Sequence, residues 1–396
     1  MKKRWRHTAA FNFFRGFFKL YLKIRFNYTP VPFKAPDGIK GPYLILSNHA
    51  LAIDPFLLGT SFRFPIFFVA SDVIFAMPFW TPIIKFLVSP IPKTKYRSDT
   101  ETVRDIVKMV RSGGSIGIFP EGNATFSGRT TPMPFAIAKL VKLLKVPVLF
   151  YRLEGGYLSK PRWARHVRKG KMTGRVVNIL EPETFRDMDA EEIFDIIEKT
   201  LFFDIFEQQK FKPVRYLGKS LAEDVESAYF HCPNCGRFET LVSIKDTVSC
   251  KMCPLKLAFT PLGTFEPLVD GLTYYETTVE WHDAQERALA VALAKTEGVV
   301  FEDRGETVYE VPRSQSKKRI GKALLRLTAT TVDVAFDEGS SKTWPVDDVL
   351  ASVQQKNWLI LYVKSEQKTY FFIGSKKRNA LKYVMALEAL KRGDAS

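Results

Sequence analysis

The spacing of hydrophobic residues changes along the chain and divides it into regions. Residues 8–26 carry aromatic side chains at positions 14, 17, 18 and 21, one face of a helix, with Lys and Arg on another side. From residue 41 onwards, short apolar runs alternate with helical periods: runs at 43–47, 115–119 and 146–152, helices at 100–111 and 134–144. This alternation predicts an α/β region with a mixed, largely parallel sheet and flanking helices.

Towards the C-terminus the pattern becomes that of short strands. A helix is predicted at 281–295, followed by alternating segments at 322–328, 331–336, 359–363 and 369–373 and by a final helix at 376–391. Strands ended by one C-terminal helix resemble the pleckstrin-homology-like architecture. The resemblance implies a β-barrel-like C-terminal domain.

The four cysteines of the chain form two pairs with the spacing of a metal site. Each pair is Cys-X-X-Cys, and 14 residues separate the pairs: Cys232, Cys235, Cys250 and Cys253. Four thiolates at this spacing hold a tetrahedral Zn²⁺, and residues 239–249 between the pairs predict a hairpin. A site with four protein ligands leaves no position for a substrate. The sequence therefore predicts a small zinc ribbon whose zinc is structural.

Charge and aromatic content indicate an anionic partner and a membrane surface. The chain has a net charge of +17 and 33 Phe in 396 residues, and residues 1–36 contain nine Lys or Arg and no acidic residue. The helix at 8–26 is therefore predicted to lie on an anionic membrane, although an ordinary helix packed on its own domain is the alternative. No apolar stretch reaches the roughly 18 residues of a spanning helix. We expect a peripheral or monotopic membrane protein on the cytoplasmic face, without cleavage or export.

Polar residues follow the predicted strand at 43–47 at once, where open α/β sheets place their chemistry. His49 is able to take a proton from a hydroxyl near neutral pH. Asp54, five residues later, is able to orient the imidazole and stabilise its charged form. The alternative is that Asp54 caps the helix beginning at Pro55.

A second polar set follows the predicted strand at 115–119. Glu121 stands at its end, and Lys93, Lys95 and Arg97 lie close together between the two motifs. Three cations in so short a segment are able to bind a phosphate. For an isolated segment of this kind, a solvated loop is the commoner interpretation.

Together these segments resemble a known family. SNHALAID at 47–54, PKTKYR at 92–97, FPEG at 119–122 and VPV at 146–148 match, in order and spacing, the four sequence blocks of the glycerol-phosphate and lysophosphatidic acid acyltransferases. The resemblance covers residues 43–152. It implies a reaction in which a histidine deprotonates the acceptor hydroxyl, which attacks an acyl thioester carried by coenzyme A or acyl carrier protein.

Carried over to this chain, the resemblance makes His49 the base and Asp54 its orienting partner. The residues that it implies for acceptor binding are Lys93, Lys95, Arg97, Glu121, Gly122 and Asn123. The family usually continues FPEG with Thr-Arg-Ser, whereas Asn123, Ala124 and Thr125 follow here. Arg129 is the candidate to replace the missing arginine, and a different acceptor head group is the alternative.

These observations predict five regions: a membrane-surface helix at 1–36, an acyltransferase domain at 37–212, the zinc ribbon at 213–265, a linker and helix at 266–298 and the pleckstrin-homology-like domain at 299–396. The expected function is transfer of a fatty acyl group from acyl-coenzyme A or acyl carrier protein to a lysophospholipid, above all 1-acyl-glycerol-3-phosphate, in phospholipid synthesis or remodelling. Two alternatives stay open, an inactive membrane adaptor and a nucleic-acid-binding zinc-ribbon protein, with nucleic acid the disfavoured partner.

Overall fold

The computed structural model describes residues 15–71, 91–93, 100–311, 317–354, 358–375 and 377–392. The chain divides into two compact units. The first comprises Met1–Pro161 and Val167–Gly218, and the second comprises Arg162–His166 and Lys219–Ser396. The chain therefore contributes a five-residue segment to the second unit before it completes the first.

The first unit alternates strands and helices. Its strands β1 to β7 are Tyr28–Pro30, Leu44–Ser47, Ile66–Ser71, Ile91–Lys93, Ser115–Ile118, Val148–Glu154 and Met172–Leu180. Its helices α1 to α8 are 15–26, Asp54–Gly59, Thr100–Arg111, Ala136–Leu144, Gly156–Ser159, Pro182–Phe185, Ala190–Leu201 and Ile205–Phe211.

The strands of the first unit form one seven-stranded sheet in the order β1-β7-β6-β2-β5-β3-β4. Neighbouring strands are parallel except β6 and β7, which are antiparallel. The predicted mixed, largely parallel α/β sheet is confirmed. Because β2 and β5 are parallel neighbours, the segments that follow them leave the same edge of the sheet side by side.

The helices of this unit pack through apolar residues that recur every four positions. One buried cluster, shared with β2, β5 and β6, contains a pair of such residues from each of three helices: Ile106 and Val110 of α3, Ile137 and Val141 of α4, and Ile193 and Ile197 of α7. That spacing places each pair on one helix face. Each such side chain contributes roughly 1.5 to 3 kcal/mol when fully buried, so this cluster holds the helices against the sheet.

Helix α1 has two apolar faces, where the sequence predicted one. Leu22 and Phe26 are buried, and the Phe18 ring stacks on that of Phe56 with 5.0 Å between centroids. Four other large apolar side chains of the helix are exposed: Phe17, Leu20, Tyr21 and Ile24. Of the predicted aromatic face, Phe17 and Tyr21 are exposed, Phe18 contacts both Phe17 and Phe56, and position 14 lies outside the described residues. In the described part of the chain, no helix has the length and apolar character needed to cross a membrane.

The second unit is mainly antiparallel. A small four-stranded sheet contains β8 to β11, at Leu241–Ile244, Thr247–Cys250, Lys256–Phe259 and Phe265–Pro267. Helix α9, Thr278–Leu293, follows it. A seven-stranded sheet contains β12 to β18, at Val299–Val311, Lys318–Thr328, Thr331–Phe336, Ser341–Pro345, Val349–Gln354, Trp358–Val363 and Lys368–Ile373, and helix α10, Leu381–Arg392, comes last. Strands β12, β15 and β16 were not among the sequence predictions.

Polar contacts join the parts of the second unit. The indole N–H of Trp281 in α9 donates to the carbonyl of His231 at 2.8 Å. Lys382 of α10 is fully buried, and its ammonium pairs with Glu239 and, at 2.8 Å, with Asp303 of β12. Because a buried charge is stable only when it is paired, Lys382 connects the cysteine-containing region to the large sheet.

Candidate active site and metal centre

His49 and Asp54 form a hydrogen-bonded pair just beyond the end of β2. Nδ1 of His49 lies 2.8 Å from Oδ2 of Asp54, which is fully buried. An ionised carboxylate only accepts hydrogen bonds, so Nδ1 carries the proton and Nε2 is the basic nitrogen. This arrangement prepares His49 to accept a proton at Nε2.

Asp54 is held by the turn that it closes. Its Oδ2 also accepts the backbone N–H groups of Ala50, at 2.6 Å, and Leu51, at 2.9 Å. Asp54 is the first residue of α2, followed by a proline that suits the first helical turn. The capping alternative is therefore wrong, because Ile53 is the N-cap residue, no side chain makes a cap hydrogen bond, and Asp54 contacts the imidazole instead.

A chain of buried hydroxyl groups anchors α2, the helix that begins at Asp54. Tyr28 donates its hydroxyl to the carbonyl of Leu57 at 3.0 Å, and Tyr151 lies 3.0 Å from Tyr28 and 2.6 Å from Ser61. Burial raises the pKa of Tyr151 to about 12, so its hydroxyl stays protonated. The helix that begins with Asp54 is thus anchored at Leu57.

Asn48 attaches the turn that carries His49 to the neighbouring strand β6. It was not predicted as a site residue. Its amide donates to the carbonyl of Leu153 at 3.0 Å, and its oxygen accepts the N–H of Leu153 at 2.8 Å. The side chain thus acts like a strand residue paired with β6. Its position beside His49 was the only signal in the sequence, because the partner is 105 residues away.

Phe119, which follows β5, supports the imidazole. The rings of His49 and Phe119 stack with 4.5 Å between centroids, and Phe119 lies nearly parallel to Phe68 of β3 at 6.0 Å. Gly117 makes room for Phe68, since a Cβ at position 117 would lie 2.5 Å from its ring. The glycine inside β5 is explained by this close approach.

Glu121 joins the two motifs. Its Oε1 accepts the backbone N–H of His49 at 2.7 Å, and its Oε2 accepts both the N–H and the hydroxyl of Thr131, at 2.8 and 3.0 Å. Burial raises the pKa of Glu121 to about 7 against these donors. Thr131 was not predicted as a site residue, and no sequence pattern marked it.

The other candidates for acceptor binding are less closely described. Lys93 ends β4 at the same edge of the sheet, and Lys95 and Arg97 lie outside the described residues. Gly122 has φ of 72°, in the left-handed region that favours glycine, and Asn123 is exposed. The backbone of Arg129 pairs with that of Asp204 in an antiparallel bridge. Of these candidates, Asn123 and Arg129 are the two whose side chains the structure describes.

The four cysteines come together in the second unit. Their Sγ atoms all lie within 4.8 Å of one another, with 3.6 Å between Cys232 and Cys253 and 3.9 Å between Cys235 and Cys250. A tetrahedron with Zn–S bonds of about 2.3 Å has sulfur atoms about 3.8 Å apart. The donor set and its spacing therefore fit a closed zinc site, and β8 and β9 supply the predicted hairpin between the pairs.

The part of the chain that contains His49 and FPEG is similar to known proteins. Residues 27–150 match the family model described as Acyltransferase. This segment, less than a third of the chain, is similar to that family. The chain is also 30% identical, over 92 residues, to a 1-acyl-sn-glycerol-3-phosphate acyltransferase of Borreliella burgdorferi (strain ATCC 35210 / DSM 4680 / CIP 102532 / B31). The match covers 23% of this chain and 37% of that relative, so the chain spans less than half of the relative's length.

Two solved structures are similar to parts of the chain. The 1-acyl-sn-glycerophosphate acyltransferase PlsC of Thermotoga maritima shares 16% identity over 53% of this chain and 96% of its own, with a TM-score of 0.38. The Vps36 N-terminal PH domain shares 21% identity over 24% of this chain and 79% of its own, with a TM-score of 0.19. The family resemblance carried by the sequence blocks is confirmed by the family model and the curated relative.

Proposed function

We propose that the chain is an O-acyltransferase that moves a fatty acyl group from a thioester donor to the hydroxyl of a glycerol phosphate or lysophospholipid. The observation that carries the proposal is the His49–Asp54 pair, hydrogen-bonded at 2.8 Å beside the FPEG segment on the neighbouring parallel strand. The acyltransferase family model supports it independently. The proposed donor is acyl-coenzyme A or acyl carrier protein, and the preferred acceptor is 1-acyl-glycerol-3-phosphate.

The proposed chemistry is direct transfer with His49 as general base. Nε2 of His49 takes the proton of the acceptor hydroxyl while the hydroxyl oxygen bonds to the thioester carbonyl carbon. The tetrahedral intermediate then breaks its C–S bond, and the imidazolium returns the proton to the leaving thiolate. Asp54 keeps the proton on Nδ1 and stabilises the imidazolium, so an ester and a free thiol form without a covalent enzyme intermediate.

The basic residues are proposed to bind the acceptor phosphate. Lys93 at the end of β4 leads into the segment with Lys95 and Arg97, and β4 belongs to the same parallel set as β2 and β5. Charge-assisted contacts with a phosphate contribute about 1.5 to 3 kcal/mol each. Arg129, in the loop that follows FPEG, is the proposed replacement for the family's arginine.

We propose that helix α1 lies on an anionic membrane. Its face of Phe17, Leu20, Tyr21 and Ile24 is exposed, with Phe17 at 65% and Ile24 at 64%, and the exposed cations Lys19, Lys23 and Arg25 flank it. An apolar face bordered by cations is typical of a helix in the membrane interface. The other face of α1 packs on the domain, so the helix is able to hold the catalytic domain at the surface where a lipid acceptor resides.

The cysteine site is proposed to hold a structural zinc ion. Cys232, Cys235, Cys250 and Cys253 would be its ligands, and four thiolates would close its coordination. The bound ion would fix the fold of this region and take no part in acyl transfer. We also propose the five-region division of the chain, from the surface helix to the pleckstrin-homology-like domain, on the sequence patterns that predict it.

The proposal is tested by acyl transfer with purified protein. Three proteins are compared: wild type, His49→Ala and the control His166→Ala, which changes an exposed histidine. The acceptors are glycerol 3-phosphate and a panel of lysophospholipids. Every acceptor is assayed with acyl-coenzyme A and with acylated acyl carrier protein as donor. We expect activity in wild type and the control and a loss of about 10²-fold or more in His49→Ala. No transfer by folded wild type with any donor would reject the enzyme and favour a membrane adaptor.

A further inference from the structure

The carboxylate of Glu121 is shared between two separate segments of the chain. One oxygen accepts the backbone N–H of His49 at 2.7 Å, and the other accepts the N–H and hydroxyl of Thr131 at 2.8 and 3.0 Å. Both oxygens of this partly buried group therefore have protein partners. Resemblance alone had implied that Glu121 shapes the acceptor pocket.

The backbone of His49 is held from both sides by residues 121–125, a segment that begins within FPEG. Its N–H donates to Glu121, and its carbonyl accepts the N–H of Thr125 at 3.0 Å. The same segment is fixed further on, because the hydroxyl of Thr125 donates to the carbonyl of Arg129 at 2.7 Å. The backbone N–H and carbonyl of His49 are thus both bonded to this one loop.

That loop is itself attached to the rest of the first unit. The N–H of Thr130 donates to the carbonyl of Phe203 at 2.9 Å, and the N–H of Phe203 donates to the hydroxyl of Thr130 at 3.0 Å. Thr131, the next residue, then presents its two donors to Glu121. The contacts run without a break from Phe203 through Thr130, Thr131 and Glu121 to His49.

Charge also argues against Glu121 as a ligand of an anionic acceptor. A carboxylate repels a phosphate, and the two oxygens are already used by three donors. To bind a substrate hydroxyl as well, the group would have to share acceptor positions that hold His49 and Thr131. Its geometry is that of a support for the base.

We propose that Glu121 is a positioning residue, which acts with Thr131 to hold the backbone of His49 so that its imidazole faces the acceptor hydroxyl. This inference rests on the proposed function, in which His49 is the general base. The reaction needs the base within hydrogen-bond reach of the hydroxyl, and a small displacement of the imidazole lowers the rate strongly.

The first test separates positioning from acceptor binding through Glu121→Gln. A glutamine has one oxygen acceptor and an NH₂ group that would face an N–H donor, so it cannot satisfy both His49 and Thr131. We expect kcat to fall about 10- to 100-fold while the KM for the acceptor changes less than about twofold. A KM raised more than about tenfold with kcat retained would assign Glu121 to the acceptor site and overturn the proposal.

The second test asks whether Thr131 acts through Glu121. Thr131→Val removes the hydroxyl and keeps the N–H, and Thr131→Ser is the matched control that retains the hydroxyl. We expect Thr131→Val to lower kcat about 3- to 10-fold and Thr131→Ser to keep the kcat of wild type. The double variant of Thr131→Val with Glu121→Gln should be no slower than Glu121→Gln alone. Additive losses in the double variant would contradict action through one contact.

A third measurement does not depend on activity. Amide hydrogen exchange at His49, at Thr131 or at both should become at least about tenfold faster in Glu121→Gln, because the single oxygen of glutamine cannot accept from both N–H groups. Exchange at Leu153, whose N–H donates to Asn48, should be unchanged. Unchanged exchange at both His49 and Thr131 would overturn the positioning role, whereas faster exchange in a protein without acyl transfer would reject only the proposed function.

Discussion

Oδ2 of Asp54 lies 2.8 Å from Nδ1 of His49 and accepts two backbone N–H groups as well. One oxygen thereby sets both the shape of the turn and the tautomer of the imidazole. The turn brings together two residues five positions apart, and α2 begins at Asp54. The fold and the proposed chemistry therefore depend on the same carboxylate.

Replacing Asp54 by asparagine should lower kcat by about 10²- to 10⁴-fold. The asparagine oxygen is able to keep one backbone contact, but the neutral side chain cannot stabilise the imidazolium or enforce the proton on Nδ1. Steady-state kinetics of Asp54→Asn, with the exposed Asp37→Asn as control, measures the effect. A loss below about threefold in a folded variant would show that the pair has no catalytic role.

Removing the carboxylate altogether should also destabilise the protein. Asp54→Ala leaves the N–H groups of Ala50 and Leu51 without their acceptor in a buried turn. Each unsatisfied buried donor costs about 1 to 3 kcal/mol, so we expect a lower free energy of unfolding than for Asp54→Asn. Urea denaturation of both variants makes the comparison, and equal stabilities would mean that the amides find other acceptors.

The pKa of Glu121 predicts a pH dependence of stability. Burial raises this pKa from an ordinary 4.5 to about 7, so the folded protein holds the proton more tightly than the unfolded chain. The contribution of the raised pKa to stability is therefore fully present below about pH 4.5 and is lost as the pH rises through about 7, by up to about 3 kcal/mol.

Glu121→Gln tests this pH dependence because glutamine does not titrate. The free energy of unfolding of wild type, measured between pH 4.5 and 7.5, should fall more steeply with pH than that of the variant. The exposed Glu101→Gln is a control that retains the wild-type slope. Parallel curves for wild type and Glu121→Gln would show that the pKa of Glu121 is ordinary in the folded state.

The parallel sheet and its two site motifs were predictable because each signal is local. An apolar run followed at once by His49, or by Glu121, shows that the residue leaves the end of a strand. The supporting contacts are not local. Nothing in the sequence connects Asn48 with Leu153 or Glu121 with Thr131, since these pairs depend on which strands and loops become neighbours.

Burial explains why the hydrophobic pattern did not predict β12 or the two faces of α1. Strand β12 spans Val299–Val311 but contains Glu302, Asp303, Arg304 and Glu306, and its register with β13 shifts at several points, so its residues do not alternate. Glu306 is nevertheless buried, paired with Arg378 at 2.9 Å. In α1, apolar residues cover two faces, and a single aromatic stripe could not be distinguished in the sequence from two stripes with different neighbours.

Loss of the metal should destabilise the second unit beyond the cysteines. Lys382 of α10 pairs with Glu239, close to Cys235, and with Asp303 of the large sheet. If the ribbon unfolds, this buried ammonium loses one of its two carboxylates. We expect Cys235→Ser to lose bound zinc and to lower the unfolding temperature by roughly 10 °C or more.

Met252→Ser is the matched control for the proposed zinc site, since Met252 is exposed between two of the proposed cysteine ligands. It should retain about one zinc per chain by elemental analysis and unfold like wild type. Hydrogen exchange in α10 should increase in Cys235→Ser but not in Met252→Ser. A zinc-free variant with unchanged exchange in α10 would show that the sheet and helix do not depend on the ribbon.

The exposed face of α1 predicts how the protein binds vesicles. Leu20→Glu and Ile24→Glu introduce charge into the apolar face without touching Leu22 or Phe26, which pack on the domain. Burying a Leu or Ile contributes roughly 1.5 to 3 kcal/mol, so each change should weaken binding to vesicles containing phosphatidylglycerol by about tenfold or more. Val291→Glu, at an exposed position of α9, is the control. Sedimentation with vesicles measures the affinity, and equal binding by all variants would place the membrane contact elsewhere in the chain.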